Sequence, residues 1–111
     1  MDTLNKYREI VRQVIDDHIA FAGENSRFQF VPILDEVNDR YVLMMQGRQG
    51  HKWVHTCILH LEIIDGKVWI QHDGTDYGIA NELVRAGIPK EKVVLGFKSP
   101  EIRELTEFAA A

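Results

Sequence analysis

The sequence predicts an α+β fold: an N-terminal helix, a four-stranded antiparallel meander sheet and two C-terminal helices. Three observations carry this. Residues 2 to 22 place apolar side chains at steps of three and four, the stripe of an amphipathic helix. From 27 to 72 the apolar period shortens towards two or becomes continuous, as strands require. The Asp65-Gly66 pair between two apolar runs is a strong two-residue hairpin signal. The chain of 111 residues, 45% hydrophobic and 27% charged, has ordinary globular composition and enough length for one domain, 1–111, with its own core.

In the first helix the stripe is Leu4, Tyr7, Val11, Val14, Ile15, Ile19 and Ala22, and the opposite face is charged. The run "GENS" then supplies a terminating glycine and a loop. "RFQFVPIL" alternates briefly, and Pro32, which lacks an N–H for a ladder, places this strand at an edge. "DEVND" is turn chemistry. "RYVLMMQ", residues 40 to 46, reads as the second strand, "GRQG" as a connection, and "KWVHTCILHLEII", residues 52 to 64, as the third.

A two-residue loop at Asp65-Gly66 pairs Ile64 with Lys67, Ile63 with Val68, Leu61 with Ile70 and Leu59 with His72. Alternation then puts Trp53, His55, Cys57, Leu59, Leu61, Ile63, Val68, Ile70 and His72 on the core face. Ile58, His60, Glu62, Trp69 and Gln71 fall on a second face, whose apolar members suggest a partial cover. After Gly74, Ile79, Leu83 and Val84 return to helical spacing in a helix near 76 to 86, ended by Gly87 and Pro89. "VVLGF" is too short to assign to strand or buried coil. "SPEIRELTEF" opens with a serine cap and proline at the first helical position, predicting a last helix near 100 to 106.

No catalytic constellation emerges from these residues. His72, Asp73 and Asp76 have metal-ligand chemistry, but the expected register sets His60 on the opposite face from His72 and His55 roughly 13 Å along the strand. His72, Asp73, Gly74 and Thr75 read instead as a structural turn and cap, with Asp73 or Thr75 capping the helix and Gly74 making the turn. "GTDYG" lacks the lysine and glycine spacing of phosphate-binding loops. Cys57, the lone cysteine, sits mid-strand as a small hydrophobe, and one cysteine fits a reducing cytosol. Neither a signal peptide nor a membrane span is read, so a cytoplasmic protein with no membrane partner, no metal and no cofactor is expected.

The net charge of −4 opposes tight independent DNA binding. Yet Arg40 through Leu61 contains no acidic residue. Arg48, His51, Lys52 and Trp53 therefore form the candidate partner-binding surface, basic groups beside an aromatic. Trp69 and Ile58 on the second face, with an edge strand holding Pro32, suggest a homodimer as well.

The run from "LHLEIIDGKVWIQHDGTDYGIANELV" through "GIPKE" and "VLGF" to "SPEIRELTEFA", residues 59 to 109, resembles the XisI family, the fdxN element excision controlling factors of cyanobacteria. "MDTLNKYREIVRQVI" resembles that family's beginning. The resemblance implies a non-catalytic accessory role in programmed excision of a DNA element, with a nuclease-like XisH-like protein and a site-specific recombinase as partners. It implies no catalytic residues. The alternative is a small nucleic-acid-binding protein or enzyme that uses the regions His72–Asp76 and Gln46–Trp53.

Overall fold

The amphipathic stripe of the first helix and one face of the sheet bury each other, and that contact makes the core. The computed structural model describes residues 2–24 and 26–111. Its elements are α1 (Thr3–Gly23), β1 (Gln29–Asp35), β2 (Arg40–Gln49), β3 (Lys52–Ile64), β4 (Lys67–Asp73), α2 (Ile79–Ala86), β5 (Val93–Leu95) and α3 (Pro100–Arg103), with a 3-10 turn at Lys90–Lys92. Helix α1 starts at Thr3 because the Asp2 carboxylate accepts from the amides of Leu4 and Asn5, which have no partner within the helix. Its buried side chains are Tyr7, Ile10, Val11, Val14, Ile15 and His18. Complete burial of Val11 and Ile15 is worth about 1.5–3 kcal/mol each.

The sheet has the order β1-β2-β3-β4-β5, so the expected four-stranded meander gains a fifth strand. Val93–Leu95 pairs in parallel with β4, Val68 opposite Val93 and Ile70 opposite Leu95. A parallel neighbour requires a crossover. Helix α2 provides it, burying Ile79, Ala80 and Leu83 on the same side of the sheet as α1. Three residues are too few to show a period, so only pairing identifies this strand.

Two bulges decide which way the side chains of β3 and β4 point. Across β2 and β3, Leu43 faces Leu59 but Met44 faces Cys57, leaving Ile58 as the extra residue. Across β3 and β4, Leu61 faces Ile70 but His60 faces His72, leaving Gln71 extra. The Leu61–Ile70, Ile63–Val68 and Ile64–Lys67 pairs are those the hairpin predicts. The expected Leu59–His72 pair is replaced by Leu59–Asp73. A one-residue slip reverses every side chain beyond it. Cys57, His55 and Trp53 consequently share the side of Met44, Gln46 and Arg48, opposite the core, while Ile58 packs against the core instead. Uniform alternation missed this because neither bulge is marked by a glycine.

The second face is covered at one end by the C-terminal segment. Arg103 lies over the Trp69 ring at 5.3 Å from its centroid, and the Ala109 amide donates to the Val93 carbonyl at 2.9 Å. Gly96 lets the chain leaving β5 pass close to β4, since a Cβ there would lie 2.7 Å from Gln71 Oε1 and 3.1 Å from the Ile70 carbonyl. Trp69 and Ile58, which suggested a homodimer, are thus engaged within the chain.

Helix α1 is fastened to the β1–β2 turn by Arg8, whose Nε and Nη2 donate to Asp39 at 2.8 and 3.1 Å. The same carboxylate accepts from the hydroxyl of fully buried Tyr41 at 2.9 Å. Burial, followed by this hydrogen bond, pushes the Tyr41 hydroxyl up to about 12. The Arg8 hydrogen bond holds the Asp39 carboxyl below its ordinary 3.8. The resulting stabilisation is complete above the unfolded carboxylate range and is lost as pH falls through the depressed folded value. Asp39→Asn is expected to cost about 1–3 kcal/mol at neutral pH. In urea melts its deficit against the native chain should narrow on acidification below 3.8.

Candidate functional site

The turn that leaves β4 is organised by Asp73. Because the Gln71 bulge places Asp73 opposite Leu59, its carboxylate lies on the core side and reaches the start of α2. Oδ1 accepts from the Thr75 amide at 2.9 Å and hydroxyl at 2.6 Å, and Oδ2 accepts from the Ile79 amide at 2.9 Å. Asp73, not Thr75, meets the helix. The glycine of this turn with positive φ is Gly78, at 81°, and Gly74 does not adopt one. Gly74 answers a different need: its amide donates to the Ile58 carbonyl at 2.7 Å, and a Cβ there would lie 3.1 Å from that oxygen.

His72 is exposed at the strand end and pairs in register with His60, correcting the expectation that the two occupy opposite faces. His60 Nε2 engages Glu62 at 2.9 Å. Among the described residues no group of three or more His, Cys, Asp or Glu side chains is placed to hold a metal ion. Cys57 Sγ lies 3.3 Å from the Leu59 carbonyl, and burial pushes its thiol up, away from the reactive thiolate.

Arg48, His51, Lys52 and Trp53 come together at the end of a hairpin arm. Strand β1 begins at Gln29 opposite Gln46, and β4 ends at Asp73 opposite Leu59. The Gly47–Val54 portion of the β2–β3 ladder therefore has no strand on either side. The expected connection 47–50 is mostly strand: β2 continues to Gln49, and the turn is only Gly50-His51, with Gly50 at φ 65°. Arg48 is thereby paired across the ladder with Trp53. Its guanidinium carbon lies 5.6 Å from the indole centroid, a cation–π distance. Trp53 is 51% exposed, and Arg48, His51 and Lys52 are exposed. The arm can present a planar cation, an aromatic face and two further basic groups to an acidic surface.

A cleft of about 370 Å³ opens between the C-terminal half of α1 and the β4–α2 connection, lined by Val14, Asp17, His18, Phe21, Tyr77 and Glu82. His18 is 8% exposed. Its Nδ1 lies 2.6 Å from the Tyr77 hydroxyl, and the Tyr77 ring meets Phe21 edge-on at 6.2 Å between centroids. Burial raises the Tyr77 hydroxyl's pKa, followed by the charges of Glu82, Asp73 and Asp17. Burial lowers that of His18, against the opposing charge of Asp73. Sequence reasoning omitted this site. Its one visible signal was a histidine on the apolar stripe of α1, three and four residues after Ile15 and Val14.

The family model described as XisI protein matches residues 1–110. The chain belongs to the XisI family. A crystal structure of a XisI-like protein from Anabaena variabilis ATCC 29413 shares 34% identity and a TM-score of 0.89, covering 97% of this chain and 99% of that one. The fdxN element excision controlling factor XisI from the same organism shares 37% identity and a TM-score of 0.86 over 99% and 100% of the two chains. No curated protein matches. At that coverage the match extends over the whole fold. Among the described residues no helix is long and apolar enough to cross a membrane.

Two outcomes test this geometry. Gly74→Val should lower stability by about 1 kcal/mol or more through crowding at Ile58, with no change at a neighbouring exposed control such as Asp76→Asn. A chemical-melt comparison decides it. The lowered His18 pKa means that the unfolded chain takes up a proton the folded chain resists, so stability falls as pH drops below the ordinary 6.5 and levels off beneath the folded value. His18→Gln should flatten that portion of the profile in urea titrations between neutral pH and about pH 5.

Proposed function

We propose that this XisI-family chain is a non-catalytic controlling factor for excision of a DNA element, acting in the cytoplasm by binding a nuclease-like, XisH-like protein or the recombinase. The hairpin arm is the observation that carries this reading. Arg48 and Trp53 project beyond the flanking strands with their cation and ring already stacked, so little side-chain freedom remains to be lost on binding. Such aromatic and arginine pairs are the usual anchors of protein interfaces. The similarity to the Anabaena protein named as an excision controlling factor supports the same direction.

A DNA-holding role is the weaker reading. Arg40, Arg48 and Lys52 are the only lysines or arginines from 40 to 61, too few for the roughly 6–10 phosphate contacts that give steep salt dependence. The net charge of −4 adds repulsion.

Co-expression with a XisH-like protein and affinity capture test the proposal. Arg48→Ala combined with Trp53→Ala should weaken capture at least about tenfold, the scale of two hot-spot side chains, while the melting temperature stays near that of the native chain. Undiminished capture by the double variant would remove the arm from the interface. Nanomolar binding of the purified chain to a DNA duplex in physiological salt would replace the proposal with the nucleic-acid alternative.

A further inference from the structure

The cleft beside α1 has a chemistry opposite to that of the arm. Phe21 and Tyr77 present aromatic surface at right angles, 6.2 Å apart between centroids, and Phe21 is 77% exposed on the rim. Asp17 from α1 and Glu82 from α2 line the same cleft. Asp17 accepts from Gln13 at 2.8 Å, and Glu82 forms an ion pair with exposed Arg85 at 2.7 Å through Oε2, which leaves Oε1 for a second donor. No described residue hydrogen-bonds His18 Nε2, although the ring is 8% exposed and lines the cleft. Aromatic faces, two carboxylates from different helices and a spare imidazole nitrogen converge on one space.

We propose that this cleft binds the guanidinium of an arginine side chain carried by a partner polypeptide. A planar cation stacks on aromatic faces while its fork of N–H groups reaches carboxylates. Asp17 and Glu82 can receive those donors from two sides, and the His18 tautomer that donates from Nδ1 to Tyr77 leaves Nε2 as a further acceptor. The occupant is a side chain and not free arginine because Phe21, on the rim, leaves most of its ring open to solvent. A main chain running over the rim would cover its ring, as a free amino acid would not. The site is independent of the arm and of any excision role, so either can fail without the other.

Blocked arginine, N-acetyl-arginine methylamide, is the probe, with the neutral citrulline analogue as its match in shape. Titration followed by nuclear magnetic resonance should shift the His18 and Tyr77 ring signals with arginine and leave them nearly still with citrulline. Phe21→Leu keeps an apolar side chain but loses the aromatic face, and Asp17→Asn keeps the shape but loses the charge. Each should weaken the probe roughly fivefold, the scale of one exposed cation–π or charged contact, with the fold intact by amide spectra. Equal shifts from the two probes, or none at tens of millimolar arginine, would overturn the proposal.

Discussion

Both candidate sites depend on two bulges, Ile58 in β3 and Gln71 in β4. On each strand the side chains alternate up to the bulge and change faces beyond it. Without the Ile58 bulge, Trp53 would lie on the helix side of the sheet. Without the Gln71 bulge, Asp73 would point away from α2, and its bonds to Thr75 and Ile79 could not form. The Gly74 amide bonded to the Ile58 carbonyl ties the end of β4 to the bulged position of β3. Bulges of this kind re-aim side chains at the margins of sheets. Here one aims the arm, and the other aims the carboxylate that sets the start of α2 and so the place of Tyr77.

The electrostatic consequence is a molecule with two unlike features near one end. The ladder pairs Gln29 with Gln46 just before the arm begins, and the Phe30 ring meets His18 at 6.1 Å, so the base of the arm adjoins the cleft. One feature is basic and aromatic, the other acidic and aromatic. A net charge of −4 describes neither. Local distribution governs orientation and specificity in a complex more than the total does.

The Arg8–Asp39–Tyr41 cluster holds the opposite end. Its carboxylate receives a bidentate guanidinium and a buried hydroxyl, so the polar atoms that burial would otherwise leave costly are satisfied. The cluster fixes α1 against the β1–β2 turn. Its rigidity positions His18, about ten residues along the same helix, without touching the cleft.

Sequence alone determined whatever rests on local periodicity or turn chemistry. The stripe from Leu4 to Ala22, the Asp65-Gly66 hairpin with its Leu61–Ile70 pair, the Ser99-Pro100 helix start and the basic character of 40 to 61 were all legible, because each is written within a few consecutive residues. The fifth strand, the two bulges, the positive φ of Gly78 and the His18–Tyr77 cleft were decided by tertiary structure. A three-residue strand acquires its identity from Val68 and Ile70 beside it, and a bulge from the mismatch between two strands that each look regular. His18 and Tyr77 are 59 positions apart. Their meeting follows from how α1 and α2 share one sheet face, a relation that no window of the sequence contains.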